Sequence, residues 1–182
     1  MKRLLKFSLF LLIIQGMCAS CTASGKKELK AILTANKDDG YGKVIKDSVA
    51  SIILDARHII CQLQSKAQED TLRQDTVCSL PSKAIPIVQY LFFDSDNFKS
   101  DNVVYGMFES WACFKIEASK KRAVYLELDF GLGKWRLYDK DKKQICQQDM
   151  NENRMSFIHL TRLFFPNDVT LRILYNNLKA KL

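Results

Sequence analysis

The stretch from Phe108 to Cys146 constrains the fold of this chain more than any other segment. Four runs of alternating residues, Phe108 to Glu117, Arg122 to Phe130, Trp135 to Asp139 and Lys143 to Cys146, are separated by short polar turns. Alternation places successive side chains on opposite faces of a strand, so these runs predict an antiparallel meander. If Phe114 faces Leu126, then Ile116 faces Val124 and Ala112 faces Leu128, and one face of the pair is uniformly apolar. In the next hairpin, turning on Gly131 to Lys134, Phe130 opposite Trp135 sets Leu128 opposite Leu137. The same register brings Asp129 beside Arg136 on the other face, an opposite-charge pair worth about 0.2–1 kcal/mol. A sheet with one apolar face needs a cover.

Helices on either side of the meander supply one. Ile45, Val49, Ile52, Ile53 and Ala56 fall at helical spacing, predicting a helix over roughly 44–54. The run RHIICQLQ alternates, as does the segment 75–80, and together they read as a two-stranded ribbon around a polar loop. Pro81 suits the first turn of a following helix through Ala84, Val88, Leu91 and Phe92, where Pro86 is awkward unless it too lies in that first turn. Residues 94–103 (DSDNFKSDNV) read as a loop of turn formers. After the meander, Ser156 to Phe165 and Val169 to Lys179 read as two helices broken at Pro166, with Asn167 or Asp168 capping the second. Leu171, Leu174, Tyr175 and Leu178 form its apolar stripe. The predicted class is α+β: a meander of about four strands plus a β-ribbon, one face covered by helices that include the two at the C-terminus. A chain of 182 residues with 47% apolar content suits one such domain, assigned to 44–182.

Residues 1–20 (MKRLLKFSLFLLIIQGMCAS) have a different character. Lys2, Arg3 and Lys6 precede an apolar run from Phe7 to Ile14, the layout of a secretory signal and too short for the roughly 20 residues of a spanning helix. The segment Gly16-Met17-Cys18-Ala19-Ser20-Cys21 is similar to a bacterial lipobox, with Cys18 where Leu is usual. Small residues precede Cys21, and cleavage there leaves an even number of cysteines, at 61, 78, 113 and 146. Cys21 is the expected lipidation site, with residues 21–43 as a lipidated N-terminus and polar tether. Loss of three cations with the signal lowers the formal charge from +8 to +5. The remaining basic residues are interspersed with acids, which points away from a nucleic-acid partner.

Cys61 and Cys78 occupy mirrored places in the ribbon, and a disulfide between them would close about 18 residues and contribute roughly 3 kcal/mol. Cys113 and Cys146 lie on the first and fourth strands of the meander, about 14 Å apart at 4.8 Å per strand, beyond bonding range. The chain contains two histidines, His58 and His159. His58 with Cys61 falls short of the four ligands of a structural zinc site, and no cofactor or metal is expected. A Cys/His nucleophile pair can be assembled from Cys113 and His159, without a known cysteine-hydrolase signature around either residue. Gly131-Leu132-Gly133-Lys134 lacks the Ser or Thr and the helix of a phosphate loop and reads as a turn. Asp94, Asp96 and Asp101 lack the Gly and Glu of a calcium loop. Phe98, Tyr105 and Trp111 read either as core or as an aromatic binding face.

Several segments carry a family resemblance. These are the terminal Cys of the signal, Tyr90-Leu91-Phe92-Phe93-Asp94 leading to Asn97-Phe98, Phe114-Lys115-Ile116, Leu128-Asp129-Phe130-Gly131 running to Lys134-Trp135, and Leu163-Phe164-Phe165-Pro166. In these the chain resembles small Bacteroidetes-type lipoproteins, a family of unknown function. The resemblance implies a lipid anchor in the cell membrane or outer membrane, facing the periplasm or displayed on the surface, and it implies no reaction. The function expected is a non-enzymatic interaction or accessory domain of the envelope, with an envelope protein or glycan as partner. The alternatives are a thiol-dependent hydrolase or redox protein using Cys113 with His159, and an immunity or inhibitor protein.

Overall fold

Six strands form a single antiparallel sheet in the order β2-β1-β3-β4-β5-β6. The computed structural model describes residues 31, 37, 40–64, 76–99 and 106–180, and Asn36–Leu182 form one compact unit. A 3-10 turn at Tyr41–Lys43 is followed by α1 (Asp47–Leu54), β1 (His58–Leu63) and β2 (Thr76–Ser79). Then come a 3-10 turn at Ser82–Ala84, α2 (Ile85–Phe92) and a 3-10 turn at Ser95–Phe98. The chain continues through β3 (Ala112–Ser119), β4 (Arg122–Asp129), β5 (Lys134–Tyr138) and β6 (Gln144–Asp149). It ends with a 3-10 turn at Asn151–Asn153, α3 (Arg154–Phe164) and α4 (Val169–Lys179). The α+β class holds, and the ribbon is no separate feature. Strand β1 pairs with β3, setting Ile59 opposite Ile116, Cys61 opposite Phe114 and Leu63 opposite Ala112. The apolar face of the meander thereby extends across β1.

The pairing of β3 with β4 is the expected one, with Ala112, Phe114 and Ile116 opposite Leu128, Leu126 and Val124. That of β4 with β5 is displaced by two residues: Leu128 lies opposite Trp135, Leu126 opposite Leu137, and Arg136 opposite Glu127 instead of Asp129. The turn explains the shift. Asp129 is 1% exposed, and its Oδ1 accepts from the N–H groups of Gly131 (2.8 Å) and Leu132 (2.9 Å). Its Oδ2 accepts from Glu109 N–H at 2.8 Å. The carboxylate thus closes the turn one residue before Phe130, which leaves the strand and buries fully. Arg154 locks the turn from outside, its guanidinium donating to the carbonyls of Phe130 (2.9 Å from Nε) and Gly131 (2.7 Å).

Helices cover one face. Helix α1 packs on β3 and β4, and the rings of Phe92 and Phe98 meet Trp135 edge-on, with centroids 5.2 and 5.6 Å away. Phe98 is therefore a core residue. Helix α2 begins at Ile85, later than the expected start at Pro81, because Pro86 lacks an N–H and is tolerated only in the first turn. Two amides satisfy carbonyls that helix ends leave without partners. Gln89 Nε2 donates to Ile53 O (2.8 Å) and Leu54 O (3.0 Å) at the end of α1. Asn97 Nδ2 does the same for Leu91 and Phe92 at the end of α2. Asp168 caps α4, its carboxylate accepting from Leu171 N–H at 2.7 Å. The fold begins inside the stretch read as tether: the Tyr41 ring is 2% exposed and packs 4.6 Å from that of Phe93. Among the described residues no helix is long and apolar enough to cross a membrane. Cys21 and the segment 1–30 lie outside the described residues, as do Asp101 and Tyr105.

Candidate functional site

Strand parity sends the residues between the core positions to the opposite face of the sheet, where they form cross-strand rows. One row runs Gln62, Cys113, Glu127, Arg136 and Gln147 across β1, β3, β4, β5 and β6. The next runs Ile60, Lys115, Tyr125, Tyr138 and Gln144. Apart from buried Cys113 and exposed Gln144, these residues are half-exposed. The face meets solvent while its partner face is sealed by helices. It presents rows of hydrogen-bonding groups to solvent on a rigid sheet, and it is the candidate site.

Its groups are held in place. Arg136 Nε donates to Gln147 Oε1 at 2.6 Å, and its guanidinium stacks 4.1 Å from the centroid of Phe108. At the other end of the hairpin the ammonium of Lys142 lies 3.4 Å from the Tyr125 ring centroid. Lys142 has φ 63, the left-handed region that a residue with a Cβ seldom enters. Asp139 holds the turn in that shape, its Oδ1 accepting from the N–H groups of Asp141 and Lys143, both at 2.9 Å. The fold thus spends conformational free energy to fold a cation back over an aromatic ring. Lys115 and Glu117 form an ion pair at 2.6 Å on the same face.

Cys113 lies under this array at 6% exposure. Burial pushes its thiol up to about 11; Lys142 acts in the lowering direction and Glu127 in the raising one. His159 is exposed on α3, its ring 6.0 Å from that of Tyr175 on α4. The structure places the thiol in the sheet and the imidazole on the helical hairpin and does not assemble them into a nucleophile pair. A thiol at about 11 is ionised in roughly one molecule in 3,000 at pH 7.5, too little for a nucleophile that acts as thiolate. Iodoacetamide labelling of Cys113 is expected to be slow at pH 7.5 and to accelerate close to tenfold per pH unit up to about pH 11. A rapid labelling plateau below pH 8, read by peptide mass spectrometry, would contradict that assignment.

Cys61 lies directly opposite Cys78, the juxtaposition expected of the ribbon, and both are free thiols in the structure. Cys146 lies on β6 opposite Leu137, and burial pushes it up to about 12. Asp94 and Asp96 serve local structure: Asp94 accepts from Asp96 N–H at 2.9 Å and Asp96 pairs with Lys99 at 2.6 Å. Among the described residues no three His, Cys, Asp or Glu side chains gather as metal ligands. The row Glu127–Arg136 was hidden from sequence reasoning by the two-residue register shift, and the Lys142–Tyr125 contact leaves no sequence signal. No family model matches the chain, and neither does any curated protein or solved structure compared with it.

Proposed function

We propose that this chain is an exported, lipid-anchored protein of the cell envelope whose domain is a non-enzymatic interaction module. The observation that carries the second part is the solvent-facing sheet surface, where amide, carboxylate, guanidinium and phenol groups surround two cation–aromatic contacts. Such a surface binds by hydrogen bonds and stacking, which suits an envelope polypeptide or glycan. Its single thiol is held protonated, which argues for binding over chemistry at this place. The anchor rests on the signal-like residues 1–20 and on Cys21. Acyl chains on an N-terminal Cys bury about 0.8 kcal/mol per CH₂, and more than one chain makes attachment lasting.

Mass spectrometry of protein from fractionated cells tests the anchor. The expected species starts at Cys21 with acyl chains and fractionates with membranes, and Cys21→Ser moves the chain to the soluble fraction. Protein that keeps Met1 and stays in the cytosol overturns the reading. The binding surface is tested separately with a photo-crosslinking residue at Tyr125 and, as control, at the exposed Arg172 on α4. Adducts at Tyr125 and few at Arg172 are expected. Equal labelling, or labelling at Arg172 alone, removes the sheet face as the site.

A further inference from the structure

Four thiols lie among the described residues, at Cys61, Cys78, Cys113 and Cys146, and four thiols can pair in three ways. The sheet leaves one pair. Cys113 shares a face with Gln62 and Glu127, whereas Cys61 shares the opposite face with Phe114, so parity separates two sulfurs on neighbouring strands. Cys146 is four strand spacings from β1, about 19 Å at 4.8 Å per strand, and three from Cys113, out of bonding range of both. Of the cysteines among the described residues, Cys78 alone faces Cys61.

The kind of facing matters. Leu80 N–H donates to Ile59 O at 2.8 Å, which marks Ile59 and Leu80 as a hydrogen-bonded pair of the ladder. Two residues on, the alternation makes Cys61 and Cys78 such a pair as well, with Cα atoms about 5.5 Å apart. That separation lies within the disulfide range. Side chains stand farther apart here than in the alternate kind of pair, so a bond drawn between them pulls on both strands and is easily reduced. Access is unequal. Cys61 is fully buried, and Cys78 is half-exposed on the edge strand β2, its thiol donating to Ser79 O at 3.7 Å.

We propose that Cys61 and Cys78 form a reversible cross-strand disulfide, made by exchange with a small-molecule or protein disulfide, that clamps the edge strand β2 to β1. The Cys78 thiolate attacks one sulfur of the donor, whose S–S bond breaks and releases the first donor thiol. Cys61, whose thiol burial holds well above its ordinary range, loses its proton in the slow second step and attacks the Cys78 sulfur, and the second donor thiol leaves, so the exchange is read at equilibrium and not as a rate. Two protein thiols and one donor disulfide become one protein disulfide and two donor thiols. The pairing is a property of the sheet and holds whichever compartment the chain occupies, so it can fail without the envelope reading failing, and the reverse.

The full chain, equilibrated over a series of reduced-to-oxidised glutathione ratios, quenched with acid, unfolded in guanidinium, alkylated and mapped by peptide mass spectrometry, tests this. The expected result is a Cys61–Cys78 bridge at oxidising ratios that opens across the series with an unchanged far-ultraviolet spectrum, while Cys113 and Cys146 are alkylated throughout. Cys61→Ala is expected to stop at a glutathione adduct on Cys78. A wild-type chain that also stops at that adduct overturns the proposal. So does a bridge from Cys61 to any other cysteine, or one that persists at the most reducing ratio.

Discussion

Trp135→Ala is expected to remove about 3–5 kcal/mol of stability, a large share of the 5–15 kcal/mol on which a domain of this size survives. Trp135 is fully buried in the strand position opposite Leu128. Its ring meets Phe92 and Phe98 edge-on, and Phe98 in turn packs on Tyr41, so the indole joins the sheet to α2 and to the start of the fold. Its N–H also donates to Asn97 O at 3.3 Å. Alanine would leave a cavity of most of the indole and a carbonyl without its donor, and three separate elements would have to collapse to fill it. Trp135→Phe keeps a ring against Phe92 and Phe98 and should cost less, about 1–2 kcal/mol for the lost hydrogen bond and the smaller area. Urea unfolding followed by far-ultraviolet circular dichroism measures both, since the substitution removes one of the two tryptophans on which a fluorescence signal would depend. An alanine variant within 1 kcal/mol of the parent, on the scale of a surface substitution, would show that this aromatic cluster does not hold the layers together.

Asp129→Ala is expected to cost about 3–5 kcal/mol for a different reason. The side chain contributes little apolar area, yet it accepts from three backbone N–H groups, those of Glu109, Gly131 and Leu132. Each donor left without an acceptor carries a penalty of about 1–3 kcal/mol, and the three do not add in full because the turn can relax towards water. Arg154 also loses the anion that offsets its own burial, the influence that works against the lowering of its pKa. Asp129→Asn separates the contributions. One amide oxygen can still serve Gly131 and Leu132, while the NH₂ group now meets the Glu109 N–H, so roughly half the loss should remain. Amide hydrogen exchange at Gly131 and Leu132 reports the outcome directly: both should lose protection in the alanine variant, and only weakly in the asparagine one. Unchanged exchange in Asp129→Ala would mean that the backbone alone closes this turn.

The same turn shows how far alternation can be read from residue order. Shifting a strand by one residue exchanges its faces, so the apolar runs of β3 and β4 admit one parity, and the expected pairs of Ala112, Phe114 and Ile116 are the ones found. A shift of two leaves every face unchanged. Nothing in the pattern of β4 and β5 distinguishes Phe130 opposite Trp135 from Leu128 opposite Trp135, and the observed choice is made by where the Asp129 carboxylate finds its donors. The Cys61–Cys78 juxtaposition was legible because two short runs around one loop have a single natural centre. The burial of Tyr41 was not, since its partners Phe93 and Phe98 lie more than fifty residues away along the chain.

Residue order by itself determined the α+β class, the antiparallel hairpins, the apolar face and a cap at Asn167 or Asp168, because each depends on side-chain periodicity or on groups within a few residues of one another. The tertiary structure alone decided that β1 lies against β3, that Arg136 faces Glu127, that Lys142 covers Tyr125, and that Cys113 is kept away from His159. These depend on which distant segments come to share a neighbour, and that is settled by the packing of the whole core and the satisfaction of buried polar groups, for which no local pattern carries a record.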